Sequence, residues 1–374
     1  MMQRELNLEN NIQKNKVLII YGARRVGKTT LLENFLKATT LKYKLDNGDN
    51  IRLQELLQSQ DFNRIKEYVE GYELIAIDEA QQVSNIGMAL KIIVDQVKDI
   101  HVIVTGSSSF DLSQKVGEPL TGRKKTFILY PFSQSEMRIQ YNKHELKEKL
   151  DDFLVFGSYP DVVLAKTKKE KIDILNELVD SYLLKDILTL DSIKFSKKLL
   201  DLLKSLAFQV GNLVSLNELS QQVGLDVKTI DRYLDLLEKG FVIKRLGGFS
   251  RNLRNEITNK SKYYFLDNGI RNALVSQFNS LDKRDDIGAL FENFLIMDRM
   301  KSNNLASNYY FWRNYEGKEI DLIEEEDGIL YAYEFKWNKS RVNPPKNFIN
   351  EYKSSKFEVI NKDNYLDFLI TSPI

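Results

Sequence analysis

The sequence predicts a multidomain α/β protein whose N-terminal third contains a parallel β-sheet. The chain has 374 residues, more than one ordinary hydrophobic core accommodates, so two or three domains are expected. In the first third, short apolar runs alternate with longer segments of helical character, which is typical of buried parallel strands joined by helices. The apolar runs are Val17–Tyr21, Leu74–Ile77, Val102–Thr105 and Thr126–Tyr130.

Composition narrows the classes of protein that this chain can represent. Charged residues make up 29% and hydrophobic residues 43%, as in soluble globular proteins, and the net charge of +1 means that any basic surface is local. With no cysteine and only two histidines, thiolate zinc sites and histidine-rich metal centres are not expected. Residues 1–13 do not resemble a secretory signal and no apolar run reaches the roughly 18 residues of a membrane helix. We therefore expect a cytoplasmic protein without a membrane partner.

The rest of the chain has three segments of different character. Helical patterning follows Pro131 as far as about residue 190, with a break at Gly157–Pro160. Two more helices and a glycine-containing hairpin follow, with predicted strands Phe241–Leu246 and Tyr263–Leu266. The last segment combines an apolar helix with further strands, predicted at Ala289–Met300, Tyr309–Arg313, Glu319–Glu324 and Leu330–Trp337. We expect domain boundaries that give residues 1–138, 139–192 (a helical lid or linker), 193–267 and 268–374.

A phosphate-binding loop follows the first predicted strand. The segment from Gly22 to Thr29 matches G-x-x-x-x-G-K-[ST], with a strand before it and a predicted helix, Thr30–Lys37, after it. Its glycines would let backbone N–H groups surround a phosphate of ATP, Lys28 would reach the β- and γ-oxygens, and Thr29 would ligate Mg²⁺. The expected nucleotide-binding residues are Gly22, Ala23, Arg24, Arg25, Val26, Gly27, Lys28, Thr29, Thr30 and Ser107.

Two acidic residues end the second apolar run. In this interpretation Asp78 would hold Mg²⁺, and Glu79 would orient and polarise the attacking water as a catalytic residue. Acids also end ordinary strands at a solvated sheet edge. The phosphate loop about fifty residues upstream favours the catalytic interpretation.

Further polar residues are candidates for contacts with the γ-phosphate. Thr105 or Ser107, at the tip of the third apolar run, would sense it by hydrogen bonding, and a plain Gly/Ser turn is the alternative. Arg123 would stabilise transition-state charge as a catalytic residue, in its own chain or in a neighbouring one, or it is a solvated surface arginine. Arg24 and Arg25 would contact phosphate or a partner subunit.

Four motifs, in this order, resemble a family of AAA+-type, archaeal-like ATPases of bacteria and archaea. They are GARRVGKTTL from Gly22, IDEAQ from Ile77, VTGSSS from Val104 and LTGR from Leu120. Later segments are similar to the family's linker and C-terminal signatures: Phe156–Asp161, Tyr182–Ile187, Gly288–Phe294 and Glu319–Leu322. In the first of these, Ser158 stands where a second glycine is usual. The resemblance implies an AAA+ core, a winged-helix middle domain and a restriction-endonuclease-like C-terminal α/β domain. It also implies a nucleotide-dependent homo-oligomer.

The middle segment contains a helix-turn-helix pattern, with helices predicted at Ser215–Gly224 and Asp226–Lys239. A DNA-binding version would place Lys228, Thr229 and Arg232 at the groove, although acids on the same helix would repel phosphate. The hairpin that follows suits phosphate contacts better, because it carries six basic residues against Glu256: Lys244, Arg245, Arg251, Arg254, Lys260 and Lys262. A scaffold that links two catalytic units is the alternative.

The last segment carries an acid…acid-x-lysine arrangement, which is that of the restriction-endonuclease superfamily. Glu334 and Lys336 share one face of a strand, and Asp321 joins them from the neighbouring strand across an Asp327-Gly328 turn. Glu292, Asp321 and Glu334 would bind Mg²⁺ or Mn²⁺, and Asp321, Glu334 and Lys336 would be catalytic. Ile320 replaces the proline that often precedes the first acid. A solvated hairpin with alternating charge is the alternative.

Two functions accommodate these features. The first is an ATP-driven machine that acts on DNA through the winged helix and a metal-dependent nuclease. The second is an ATP-dependent molecular switch that binds a protein partner, in which the nuclease-like domain is catalytically inactive. The near-neutral net charge favours the second.

Overall fold

The structure is a computed structural model that describes residues 2–107, 120–180, 196–251, 260–301, 307–339 and 341–370. The chain forms two compact units: Gln3–Tyr130 together with Lys239–Phe241, and Pro131–Glu238 together with Val242–Ile374. The boundaries predicted at residues 138, 192 and 267 fall inside the second unit and stay predictions. The Tyr182–Ile187 signature, Ser108, Ser109, Arg254 and Glu256 lie outside the described residues.

The first unit contains a five-stranded parallel sheet with the order β2-β3-β4-β1-β5. Its strands are β1 (Val17–Tyr21), β2 (Tyr43–Asn47), β3 (Leu74–Asp78), β4 (His101–Gly106) and β5 (Lys124–Ile128). Every residue of β1 and β3 is buried, as expected for inner strands that are covered on both faces, whereas the edge strands β2 and β5 are more exposed. The strands predicted from the four apolar runs are confirmed.

Helices connect the strands of this sheet: α1 (Lys28–Ala38), α2 (Ile51–Gln58), α3 (Phe62–Val69) and α4 (Ile86–Gln96). Leu32 and Leu36 of α1 are buried and lie one turn apart on the same helix face. The side chains of Asn50 and Asp61 accept backbone N–H groups at the starts of α2 and α3. These caps fix the starts of the two helices in the connection that leads from β2 to β3.

The second unit contains a six-stranded mixed sheet with the order β11-β10-β9-β8-β6-β7. Its strands are β6 (Ile243–Gly248), β7 (Ser261–Phe265), β8 (Asn308–Arg313), β9 (Glu319–Glu326), β10 (Ile329–Phe335) and β11 (Lys356–Ile360). The β6–β7 hairpin, predicted as part of the middle domain, continues this sheet because Gly247 and Gly248 pair in parallel with Tyr310 and Phe311. Residues from two predicted domains therefore share one sheet.

Helices of the second unit precede this sheet in the chain and also lie between and after its strands. They are α5 (Gln134–Met137), α6 (Lys143–Glu148), α7 (Leu150–Phe156), α8 (Pro160–Leu164), α9 (Lys168–Leu178), α10 (Ser196–Phe208), α11 (Leu216–Val223), α12 (Val227–Lys239), α13 (Asn268–Leu274), α14 (Ile287–Lys301), α15 (Lys346–Glu351) and α16 (Tyr365–Ile370). Within the described ranges, every helix is too short or too polar to span a lipid bilayer.

Two local features position the residues discussed below. In α14, the buried Asn293 side chain accepts from the backbone N–H of Phe265 at 2.7 Å and donates to its carbonyl oxygen at 2.9 Å, which fixes the helix against β7.

In the predicted helix-turn-helix, Ser215 caps α11 and Gly224 ends it with a left-handed φ of 70°. Asp226 accepts the N–H of Thr229 at the start of α12. The helix pair is present, and its assignment as a winged helix stays a prediction.

Candidate nucleotide site and C-terminal carboxylate cluster

The carboxyl ends of β1, β3 and β4 lie side by side, because β4 pairs in parallel with both other strands. The phosphate loop follows Tyr21 at the end of β1, Asp78 ends β3, and Ser107 follows β4. Ligands of open parallel sheets bind at this edge. Residues that the sequence predicts from three separate segments are thus brought together at one site.

The phosphate loop has the backbone of an anion-binding turn. Gly27 adopts a left-handed φ of 92°, and a Cβ atom on Gly22 would overlap the carbonyl oxygen of Leu129, so both positions favour glycine. The side chain of Lys28 is only 5% exposed, and its Nζ donates to the carbonyl oxygens of Gly22 and Ala23, both at 2.9 Å. The ammonium is therefore held within the loop that would surround a phosphate.

Hydrogen bonds connect this loop to the tips of the neighbouring strands. The Thr29 hydroxyl donates to Asp78 Oδ2 at 2.7 Å. The Thr105 hydroxyl donates to Asp78 Oδ1 and accepts from the backbone N–H of Glu79 at 3.3 Å. Hydroxyl and carboxylate oxygens are ligands that Mg²⁺ prefers, so Thr29 and Asp78 fit the predicted metal position. Thr105 orients the Asp78 carboxylate.

Gln81 connects the predicted catalytic acid to the predicted γ-phosphate sensor. Its amide nitrogen donates to the carboxylate of Glu79 and to Ser107 Oγ, the latter at 3.0 Å. Gln81 and Ser107 are both buried. Glu79 has a φ of 51°, a left-handed conformation that is uncommon outside glycine and concentrated at functional sites.

The remaining predicted loop residues differ in exposure. Ala23 and Val26 are fully buried, whereas Arg24, Arg25 and Thr30 are exposed. The buried residues contribute backbone groups and packing, and the exposed arginines lie on the outer surface of the loop.

Arg123 lies at the opposite end of the sheet from the phosphate loop. Its carbonyl oxygen accepts from the backbone N–H of Val17 at the start of β1, and the five residues of that strand span about 13 Å. Its side chain pairs with Asp95 at 2.6 Å. Strand order places Arg123 at the amino ends of the strands, so this position does not favour the alternative in which Arg123 acts on the phosphates of its own chain. A role in a neighbouring subunit stays a prediction.

In the second unit, the structure brings together Asp321, Glu334 and Lys336. Lys336 Nζ lies 2.7 Å from Glu334 Oε1 and 3.9 Å from Asp321 Oδ2. Tyr333 pairs with Leu322, and the same register puts Glu334 opposite Asp321. Asp321 Oδ2 also accepts the backbone N–H of Phe335 at 2.8 Å. Burial raises the pKa of both carboxyl groups.

Lys262 of β7 enters the same cluster of carboxylates. Its side chain is 1% exposed, and its Nζ lies 2.6 Å from Glu319 Oε1 and 3.1 Å from Glu292 Oε1. Tyr264, on the same strand face, donates to Glu292 at 2.6 Å. Burial raises the pKa of Glu292 to about 7. Burial by itself lowers the pKa of Lys262, but the carboxylates of Glu292, Asp321 and Glu319 outweigh it and raise that pKa.

This cluster does not fit the predicted divalent metal. Among the described residues, no three His, Cys, Asp or Glu side chains converge as ligands of one ion. A lysine ammonium has three hydrogen-bond donors and no lone pair, so it cannot be a ligand, and its charge repels another cation. That Glu292, Asp321 and Glu334 bind Mg²⁺ or Mn²⁺ stays a prediction that this geometry does not support, because Lys262 pairs with Glu292 and Lys336 pairs with Glu334.

The basic hairpin is less free to contact phosphate than its sequence suggests. Its cations form ion pairs within the second unit: Lys244–Glu238 at 2.8 Å, Arg245–Asp231 at 3.5 Å and Arg251–Glu325 at 2.7 Å. Lys262 is buried, whereas Lys260 is exposed. These pairs reduce the local excess of positive charge on which a DNA contact would depend.

Three segments of the chain match known protein families. Residues 14–138 match a family described as AAA domain. Residues 14–138 therefore form an AAA-type domain. Residues 147–281 match a domain of unknown function (DUF8612), and residues 287–367 match another (DUF4143). The AAA domain holds the phosphate loop, Asp78, Glu79 and Ser107.

The similarity to individual relatives extends over most of the chain. An uncharacterized protein of Haemophilus influenzae is 27% identical over 402 residues, which cover 99% of this chain and 93% of the relative. One of Methanocaldococcus jannaschii is 25% identical over 361 residues, or 90% and 79% of the two chains. One of Mycobacterium tuberculosis is 24% identical over 335 residues, or 88% and 72%. The matched stretches of these relatives thus extend well beyond the length of the segment 14–138.

Several residues that shape these two sites were not predicted to belong to them. In the AAA domain, Gln81 is the last residue of the IDEAQ motif, in which only the two acids are predicted to act on the metal and the attacking water. Ahead of that domain, the Arg4 guanidinium donates to the carbonyl oxygen of Val26, and no motif marks it. In the cluster, the same-face spacing of Lys262 and Tyr264 on β7 was the available signal.

Proposed function

We propose that this chain binds Mg²⁺ and ATP and hydrolyses ATP, and that the nucleotide state of its AAA domain switches the binding of a protein partner. The main support is that the hydroxyl groups of Thr29, in the loop, and Thr105, at the tip of β4, both donate to the carboxylate of Asp78, at the tip of β3. These groups supply oxygen atoms of the kind that Mg²⁺ binds. Lys28 supplies the positive charge that a triphosphate requires at the same place.

Each residue has a separate task in this proposal. Lys28 and the N–H groups of the loop bind the β- and γ-phosphates, and Thr29 and Asp78 hold the metal. Bound Mg²⁺ offsets the negative charge of the two phosphates. Glu79 orients the attacking water and accepts its proton.

Gln81 sets the orientation of Glu79 in this proposal. Gln81→Leu keeps the side-chain volume but removes the donor to Glu79 and Ser107, so we expect kcat to fall roughly tenfold, the equivalent of one hydrogen bond to a charged group. KM for ATP should stay within about twofold, because Gln81 acts on the water-activating acid and not on the phosphate loop. Steady-state kinetics test this, with exposed Gln82→Leu as the control. Equal changes in kcat and KM would contradict the assigned role.

A second candidate is the ATP-driven machine that cleaves DNA. The proximity of Asp321, Glu334 and Lys336 favours it. The paired charges of the β6–β7 hairpin and the buried Lys262 favour the switch, in which the C-terminal segment binds without cleavage. A nucleotide-dependent homo-oligomer is the arrangement in which Arg123 would reach a neighbouring nucleotide.

The test is the release of phosphate from ATP by the purified full chain. We expect turnover with Mg²⁺, none in excess EDTA, and a rate that supercoiled DNA changes by less than about twofold. Absence of turnover with Mg²⁺ would refute the ATPase proposal. Stimulation of several-fold by DNA would favour the DNA-directed machine over the switch.

A further inference from the structure

Lys262 places a positive charge among the carboxylates that the sequence pattern assigns to a metal. We propose that Lys262 substitutes for the divalent cation, so that the C-terminal carboxylate cluster is a lysine-neutralised, metal-free site. This inference concerns the second unit alone, and it holds whether or not the AAA domain hydrolyses ATP.

Each acid of the pattern already has a partner. Lys262 Nζ is in direct ion-pair contact with Glu292 and Glu319, at 3.1 and 2.6 Å. These separations leave no room between nitrogen and oxygen for an ion whose own bonds are about 2.0–2.1 Å long. Glu334 pairs with Lys336, and Asp321 accepts a backbone N–H.

Rigid elements hold the charges of Lys262 and Glu292 together. Lys262 lies in β7, and Glu292 lies in α14 beside Asn293, whose amide is bonded to β7 through both backbone groups of Phe265. Behind Glu292, a Cβ atom on Gly211 would lie 3.1 Å from Oε2, so the carboxylate is closely confined on that side as well. The pair is therefore a fixed part of the fold and not a chance contact of two mobile side chains.

The replacement of a metal ion by a lysine changes the chemistry that this cluster can perform. A protonated lysine cannot ligate or activate a water molecule in the way a metal does, since it has no lone pair and no open coordination position. The cluster therefore holds its elements together by charge, and this part of the chain does not perform metal-dependent cleavage of phosphodiester bonds.

Binding of Mn²⁺ to the full chain, measured by the EPR signal of the free ion without nucleotide, tests this inference. Wild type and Asp321→Asn should bind the same number of ions, because any Mn²⁺ beside Thr29 and Asp78 is common to both. Lys262→Ala should bind about one more ion per chain, and the added Glu292→Gln should abolish that gain. Lys260→Ala, an exposed lysine two residues earlier, is the matched control and should behave as wild type.

Two results would overturn the proposal. One is a wild-type chain that binds one ion more than Asp321→Asn does. The other is a folded Lys262→Ala chain that gains no ion. If Lys262→Ala fails to fold, the comparison of wild type with Asp321→Asn decides by itself.

Discussion

Lys28→Ala is expected to lower kcat/KM for ATP by about 10²- to 10⁴-fold. The ammonium lies within the phosphate loop, held by the carbonyl oxygens of Gly22 and Ala23. In the proposed function it makes charge-assisted hydrogen bonds to the β- and γ-phosphates, each contributing roughly 1.5–3 kcal/mol. Loss of two such bonds gives the stated range, and most of it should appear as weaker ATP binding.

Calorimetric titration with a non-hydrolysable ATP analogue measures this loss directly. Lys37→Ala is a matched control, because Lys37 is an exposed lysine in the last turn of the same helix, α1. It should bind the analogue as wild type does. Equal affinity of wild type and Lys28→Ala would show that the loop does not hold the triphosphate.

The nucleotide site was predictable because its determinants are local in sequence. The β1 strand, the loop and α1 follow one another without interruption, and the glycine positions correspond to a left-handed φ at Gly27 and a close backbone approach at Gly22. Asp78 ends a fully buried strand, which its apolar run already indicated. The hydrogen bonds of Gln81 to Glu79 and Ser107 were not predictable in this way, because no periodic pattern in the sequence indicates a contact between two side chains.

No local pattern in the sequence indicates the order of the strands in the sheet. Arg123 is the last residue of the LTGR motif, but its distance from the loop depends on β5 pairing with β1, which puts the residue before β5 beside the start of β1. An amphipathic or apolar pattern identifies a strand and not its neighbour. For the same reason, the sequence leaves open whether Arg123 acts in its own chain or in a neighbouring one, although the β5 strand itself was predicted.

In the C-terminal cluster, contacts between residues close in sequence were predictable, and the contact made by Lys262 was not. Asp321, Glu334 and Lys336 were predicted together because a short turn joins β9 to β10. Lys262 was assigned to phosphate contact because the β6–β7 hairpin looked like part of another domain. In the part of the chain that the structure describes, β6 pairs with β8 at Gly247 and Gly248, and this pairing has no sequence signature. The pairing of β6 with β8 brings the β6–β7 hairpin, and with it Lys262, to these acids.

Glu79→Gln is expected to separate ATP binding from hydrolysis. Glutamine keeps the size of the side chain but cannot accept the water proton, so kcat should fall by about 10²- to 10⁴-fold. The affinity for ATP with Mg²⁺ should stay within about threefold, because Lys28, Thr29 and Asp78 are untouched. Single-turnover hydrolysis and equilibrium binding measure the two quantities, and Glu67→Gln, at an exposed position of α3, should leave both unchanged.

The Glu79 variant also tests the task assigned to Gln81. If Gln81 acts only by orienting Glu79, the double variant Glu79→Gln/Gln81→Leu should be no slower than Glu79→Gln alone, since the group that Gln81 orients has lost its basicity. A further tenfold loss in the double variant would mean that Gln81 acts on the reaction independently, through Ser107. The comparison therefore distinguishes a positioning contact from a separate contribution to turnover, which the hydrogen bonds alone do not.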